Sequence, residues 1–199
     1  VVSRIFFNDF QDGWNAYEKK DYKTARELWL PLAEQGETRA LFFMGFMHDM
    51  GFGVPENDKE ALKWYQLAAD QGESRAQLFI GFMHDFGQGV PEDDKEAVKW
   101  YILAAEQGFK QAKINIYNLA KNNVPEALKI LTTDAENGEA EPQYELGVMN
   151  DTGRGVPQDQ KEAIKWYMLA AEQGNAKAKA AIYNLAKNNV PEALKILTT

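Results

Sequence analysis

Apolar residues recur along this chain at helical spacing. Between residues 37 and 51, Leu41, Met44, Gly45 and His48 fall three or four apart, and between 59 and 71, Ala61, Trp64, Tyr65, Ala68 and Ala69 do the same. Such spacing places a stripe along one side of an α-helix, which turns once in about 3.6 residues. Punctuation separates the two segments. Gly51-Phe52-Gly53 suits a left-handed helix end, and Pro55 forbids continuation. Asn57 or Asp58 can cap the second helix, and Gly72 ends it.

The same pair of helices is written several times. KEALKWYQLAADQG (59–72), KEAVKWYILAAEQG (95–108) and KEAIKWYMLAAEQG (161–174) align throughout, as do ETRALFFMGFMHDMGFGVP (37–55), ESRAQLFIGFMHDFGQGVP (73–91) and EAEPQYELGVMNDTGRGVP (139–157). The closing glycines, Gly36, Gly72, Gly108, Gly138 and Gly174, are spaced 36, 36, 30 and 36. A period of this length is that of a solenoid of stacked supersecondary units. A longer duplication lies over it, since IYNLAKNNVPEALKILTT occurs at 116–133 and again at 182–199. The reading is one solenoid domain over 1–199, with units 3–36, 37–72, 73–108, 109–138, 139–174 and an incomplete 175–199.

The 30-residue unit lacks the Gly-Val-Pro loop. It turns at Asn122-Asn123, which tolerate left-handed geometry, with Pro125 in the first turn of the next helix. Gly45, Gly81 and Gly147 stand mid-helix, where glycine costs about 1 kcal/mol. That recurring cost implies close helix–helix approach. Ala61, Ala97, Ala127, Ala163 and Ala193 are the expected partners, with Trp64, Trp100 and Trp166 covering the joints between units.

These motifs resemble the Sel-1-like repeat family, a relative of the tetratricopeptide repeat. Its pattern is an A-x-x-x-L-G-x-x-Y helix, a G-x-G-V loop and an E-A-x-x-W-Y-x-x-A-A-E-Q-G helix. Units 37–72, 73–108 and 139–174 carry it nearly throughout. Unit 3–36 looks more like a plain tetratricopeptide repeat, and units 109–138 and 175–199 match only in part, with Tyr117 or Tyr183 at the glycine position. The resemblance implies an all-α fold: an alpha-alpha superhelix, a right-handed solenoid of about a dozen antiparallel helices. It implies first helices lining a concave surface, a scaffolding role, and a bacterial setting, with the periplasm or envelope favoured and the cytoplasm left open. Some cysteine-rich relatives are linked to penicillin binding, and this chain has no cysteine.

Composition narrows the partners. The net charge is −8, which repels phosphate backbones and argues against nucleic acid. No apolar run approaches the roughly 18 residues of a membrane span, so no membrane insertion is expected. The chain opens at Val1, consistent with a trimmed or mature end.

Candidate chemistry is sparse, and neither cofactor nor metal is expected. His48 and His84 occupy one repeat position, each followed by an aspartate, Asp49 or Asp85. Zinc needs at least three protein donors, and the fifth unit has Asn150-Asp151 there. The glycine loops lack the Lys-Ser or Lys-Thr of a phosphate loop. The acidic run PEDDKE (91–96) lacks the ligand spacing of a calcium loop and suits a helix N-terminus.

The function read from this is a non-enzymatic scaffold or adaptor binding a protein or peptide. The alternatives are an envelope hydrolase acting on peptidoglycan or a β-lactam, and a glycan-binding module. The expected binding stripe lies six and three residues before each mid-helix glycine, and one and four after it. It comprises Arg39, Phe42, Phe46 and Asp49, then Arg75, Leu78, Phe82 and Asp85, then Glu141, Tyr144, Val148 and Asp151. Aromatics with arginine are residue types that dominate interfaces. The other reading of Phe42, Phe46 and Phe82 is packing between adjacent units. At the C-terminal end, apolar Ala193, Leu194, Ile196 and Leu197 predict either further residues or burial against a second copy or partner.

Overall fold

Glycine, asparagine and proline punctuation divides the described residues into twelve helices. The computed structural model describes residues 2–188 and 190–198, with side chains from residue 10 to 188 and from 190 to 194. The helices are α1 (Val2–Glu18), α2 (Tyr22–Glu34), α3 (Thr38–Met50), α4 (Asp58–Ala69), α5 (Ser74–Phe86), α6 (Asp94–Glu106), α7 (Lys110–Lys121), α8 (Pro125–Glu136), α9 (Ala140–Thr152), α10 (Gln160–Glu172), α11 (Ala176–Lys187) and α12 (Pro191–Thr198). They pack as sequential antiparallel pairs, and no strand occurs among the described residues. The chain forms two compact units, residues 1–112 and 113–199.

The caps follow the punctuation. Gly51 ends α3 at φ 66°, a conformation that costs a residue with a Cβ about 1 kcal/mol or more. Asn57, rather than Asp58, is the N-cap of α4, its side chain accepting from the Glu60 backbone N–H at 3.1 Å. The Asn57 backbone N–H donates back to the His48 carbonyl at 2.8 Å, and Asp93 does the same to His84. The loop is thereby tied to the helix it leaves. In the shorter unit Asn123 takes φ 67° and Pro125 opens α8, as the sequence predicts.

Inside the three pairs with a mid-helix glycine facing a tyrosine, α3/α4, α5/α6 and α9/α10, the close approach is made by a different residue from the one expected. The alanines Ala61, Ala97 and Ala163 are fully buried. The space beside the mid-helix glycine, however, is filled by a tyrosine ring. A Cβ on Gly45 would lie 2.6 Å from Tyr65 Cδ1, and Gly81 and Gly147 meet Tyr101 and Tyr167 in the same way. These tyrosines are 0–2% exposed. Burying such a ring contributes about 3 kcal/mol, which outweighs the roughly 1 kcal/mol cost of a helical glycine. Trp64 and Trp100 lie half-buried at the margin of the core of residues 1–112.

Candidate binding surface

The expected stripe divides into residues that hold the repeats together and residues left open. The arginines belong to the first group. Arg75 lies 4.3 Å over the Phe42 ring, one repeat earlier, and Arg39 lies 4.1 Å over Phe10. Glutamates fix both orientations. Glu73 takes Arg75 Nε and Nη2 at 2.8 and 3.0 Å, and Glu37 takes Arg39 Nε at 2.9 Å. Each guanidinium thus joins one first helix to the previous one by cation–π stacking.

Phe42 is 5% exposed, ringed by Phe43, Phe46, Tyr65 and Phe79, and Leu78 is 8% exposed. Their side chains form the wall beneath the surface. Phe46 and Phe82, one turn further on, are half-buried. Phe46 meets Phe52 and Phe79 edge-on, and Phe82 packs against Phe79 and Tyr101. Another turn along stand two residues outside the expected stripe. Phe86 is 65% exposed and stacked on Phe82 with centroids 6.2 Å apart, and Met50 is 42% exposed. The sequence did hold the signal, since Met50 and Phe86 share one repeat position, five after the glycine.

The aspartates face inward. Tyr65 Oη donates to Asp49 Oδ2 at 3.1 Å, and Tyr101 Oη to Asp85 Oδ2 at 2.8 Å. Burial raises the pKa of both carboxyls, and the phenol hydrogen bonds oppose that rise. His48 and Asp49 do not form a dyad. Asp49 is held by Tyr65, whereas His48 feels Glu60 and Arg26, and burial lowers its pKa. His48 Nδ1 and His84 Nδ1 are buried without a hydrogen-bond partner among the described residues, and no metal-binding cluster occurs there.

In residues 113–199, α9 places Tyr144, Val148 and Asp151 in the same register. Tyr144 and Val148 lie half-buried against the core of α10 to α12. The ammonium of Lys177 stands 5.4 Å from the Tyr144 ring, and Glu141 pairs with Lys177 at 2.9 Å. Tyr167 hydrogen-bonds Asp151, and burial, the leading cause, raises its phenol pKa together with that contact.

The Sel1 repeat pattern matches residues 10–37, 38–73, 74–109 and 141–175. The chain belongs to the Sel1 repeat family. Residues 10–37, which look like a plain tetratricopeptide repeat by sequence, fall within that match. Two solved structures are similar. A Sel1 repeat protein from Oxalobacter formigenes is 31% identical, with 88% of this chain and 75% of that one covered and a TM-score of 0.63. A protective antigen present in uropathogenic Escherichia coli strains, displaying an SLR fold, is also 31% identical, with a TM-score of 0.63. The match spans 90% of this chain but 41% of the antigen's length. No curated protein matches the sequence. No helix among the described residues is long and apolar enough to cross a membrane.

Between the Sel1 repeats, residues 109–138 solve the same packing problem with the parts exchanged. Tyr117 takes the glycine position on α7, and Leu131, fully buried, takes the tyrosine position on α8. Asp134 on α8 now accepts from Tyr117 Oη at 2.7 Å. The loops adapt too. In the second and third Sel1 repeats the second loop glycine packs on the start of the previous repeat's second helix, Gly53 on Tyr22 and Gly89 on Asp58. In the fourth, Gly155 packs on Ala120 and Lys121 at the end of α7, after a unit that lacks the loop.

Proposed function

We propose that this Sel1 repeat chain is a non-enzymatic scaffold or adaptor that holds a protein or peptide partner on its first helices. Within residues 1–112 the contact centre is Phe46, Met50, Phe82 and Phe86. The observation that carries this reading is Phe86, a phenylalanine 65% exposed yet stacked on Phe82, which itself rests on the core. An exposed aromatic ring on a rigid base offers apolar contact at small entropic cost, the property of an interface anchor. Arg39 and Arg75 border the patch with side chains 42% and 36% exposed, and Asp49 and Asp85 support it from below. Tyr144, Val148 and Asp151 are the corresponding contact positions of residues 113–199.

The test is selection of peptides from a random library on the intact chain, followed by titration with the Met50→Ser/Phe86→Ser variant, both positions being exposed. Binding should fall at least about tenfold while the melting temperature stays within a few degrees, because exposed positions contribute little to stability. Peptides that bind the variant as well as the parent would remove this surface from consideration.

A further inference from the structure

The two ends of the phenylalanine patch in residues 1–112 carry different charge. The rings form one continuous surface, because Phe79 on α5 meets Phe46 of the previous repeat at 6.0 Å and Phe82 of its own helix at 6.2 Å. Met50 and Phe86 extend it to the C-terminal ends of α3 and α5. At the N-terminal ends the charge is balanced. Arg39 is paired with Glu37, and Arg75 with Glu73.

The C-terminal ends are acidic. After α3 the loop folds back, so that Glu56 Cβ lies 3.5 Å from the Cβ position that Gly51, next to Met50, leaves empty. After α5, Glu92 takes the same place beside Gly87, next to Phe86. Asp58, at the start of α4, packs against Gly89 in the second of these loops. Glu56 and Glu92 are exposed, and neither they nor Asp58 and Asp94 form an ion pair among the described residues.

The nearby cations do not balance this charge. Lys63 and Lys99 are taken by Glu60 and Glu96 at 2.7 and 2.6 Å. In the first loop Asp49, Glu56 and Asp58 stand against Lys59 and, from α2, Arg26. In the second, Asp85, Glu92, Asp93 and Asp94 stand against Lys95. Burial is the main cause of the raised Asp49 carboxyl pKa, and Asp58 and Glu56 push it the same way against the Tyr65 hydrogen bond. Burial, Asp94 and Glu92 do this to Asp85 against Tyr101. The negative ends of the α3 and α5 dipoles add to the field. A cation placed here gains attraction and relieves repulsion between carboxylates.

We propose that the partner segment held on this patch is both apolar and cationic. Its apolar side chains cover Phe46, Met50, Phe82 and Phe86, and lysines or arginines beside them face Glu56 and Glu92. This rests on the patch being the binding surface and adds the chemistry that it selects.

The probe is a display library of random peptides selected on the full chain, with the selected peptides then synthesised carrying fluorescein. Peptides whose binding depends on Met50 and Phe86 should be enriched in lysine and arginine beside an apolar run. Their fluorescence anisotropy should show affinity that weakens with salt. Glu56→Lys/Glu92→Lys should weaken binding at least about tenfold, and peptides with glutamate in place of their basic residues should recover it on that variant. Glu106→Lys/Glu172→Lys makes the same change in net charge at two exposed positions elsewhere, and should leave affinity within about twofold. Circular dichroism should show both variants folded, since the four substituted side chains are exposed. If no selected peptide depends on Met50 and Phe86, the patch is not a binding surface and both readings fall. If patch-dependent peptides are neutral or acidic, or ignore Glu56→Lys/Glu92→Lys, the patch stands and its cationic partner falls. Equal weakening by Glu106→Lys/Glu172→Lys would trace the attraction to net charge and overturn the proposal as well.

Discussion

Tyr65 and Asp49 are joined by a hydrogen bond of 3.1 Å from the phenol to Oδ2, across the helix pair that Gly45 lets close. The ring takes the space of the absent Cβ, and the hydroxyl reaches the carboxylate one turn along α3. Tyr101 with Asp85 and Gly81 repeats the arrangement. Three residue types at fixed spacing thus form one packing device.

Tyr65→Phe keeps the ring and removes the donor. The chain should lose about 1 kcal/mol in urea unfolding, the usual net value of such a bond. The Asp49 carboxyl, already raised by burial, loses an opposing contact, so its pKa should rise further. A carbon-detected NMR titration reads this directly. An unchanged Asp49 pKa would show that the bond does not form in solution.

Gly51 and Gly53 allow a controlled comparison. Both have positive φ, 66° and 70°, so alanine at either position bears the left-handed penalty of about 1 kcal/mol. A Cβ on Gly51 meets only Glu56, at 3.5 Å, whereas one on Gly53 meets the Tyr22 backbone at 2.9 Å. Gly53→Ala should therefore cost at least about 1 kcal/mol more than Gly51→Ala, within the range of overpacking effects. Equal losses in thermal unfolding would mean that the loop does not press on the previous repeat.

The pH dependence should carry the mark of His48. Burial lowers its pKa below the ordinary 6.5, with Glu60 opposing and Arg26 adding. Below 6.5 the unfolded chain holds more protons than the folded one, down through the lowered folded value. Stability is therefore present above 6.5 and falls as pH drops through that window. His48→Leu also removes the unpartnered Nδ1. The melting temperature of the parent relative to this variant should fall between about pH 7.5 and about pH 5.5. A constant difference across that range would exclude His48 as a source of acid sensitivity.

Tyr117 and Tyr183 sit in identical local sequence but are 5% and 59% exposed. Tyr117→Ala should cost about 3–5 kcal/mol, as for other large aromatics removed from a core. Tyr183→Ala should fall within about 0.5 kcal/mol of the parent. Chemical denaturation of the two variants checks this, and equal losses would imply that Tyr183 is covered in solution.

The helix pairs and their ends were legible in the sequence because they are local. Repetition, glycine at left-handed positions and asparagine or proline at helix starts depend on neighbours a few residues away. The binding stripe was legible only in its register. Its phenylalanines are where the spacing puts them, but whether a ring is wall or surface depends on the neighbouring repeat, and Phe42 turned out to be wall. The arginines and aspartates were visible as charges, while their partners Phe10, Phe42, Tyr65 and Tyr101 lay sixteen or about thirty residues away. What the sequence could not contain is shown by its own duplication. The eighteen residues around Tyr117 and Tyr183 are the same, so their helical propensity and apolar pattern are the same. They differ in the burial of the tyrosine, 5% exposed at Tyr117, beside α9, and 59% at Tyr183. Secondary structure follows from the chain's local chemistry, but burial belongs to the pair of surfaces in contact, and only the tertiary structure brings the second surface.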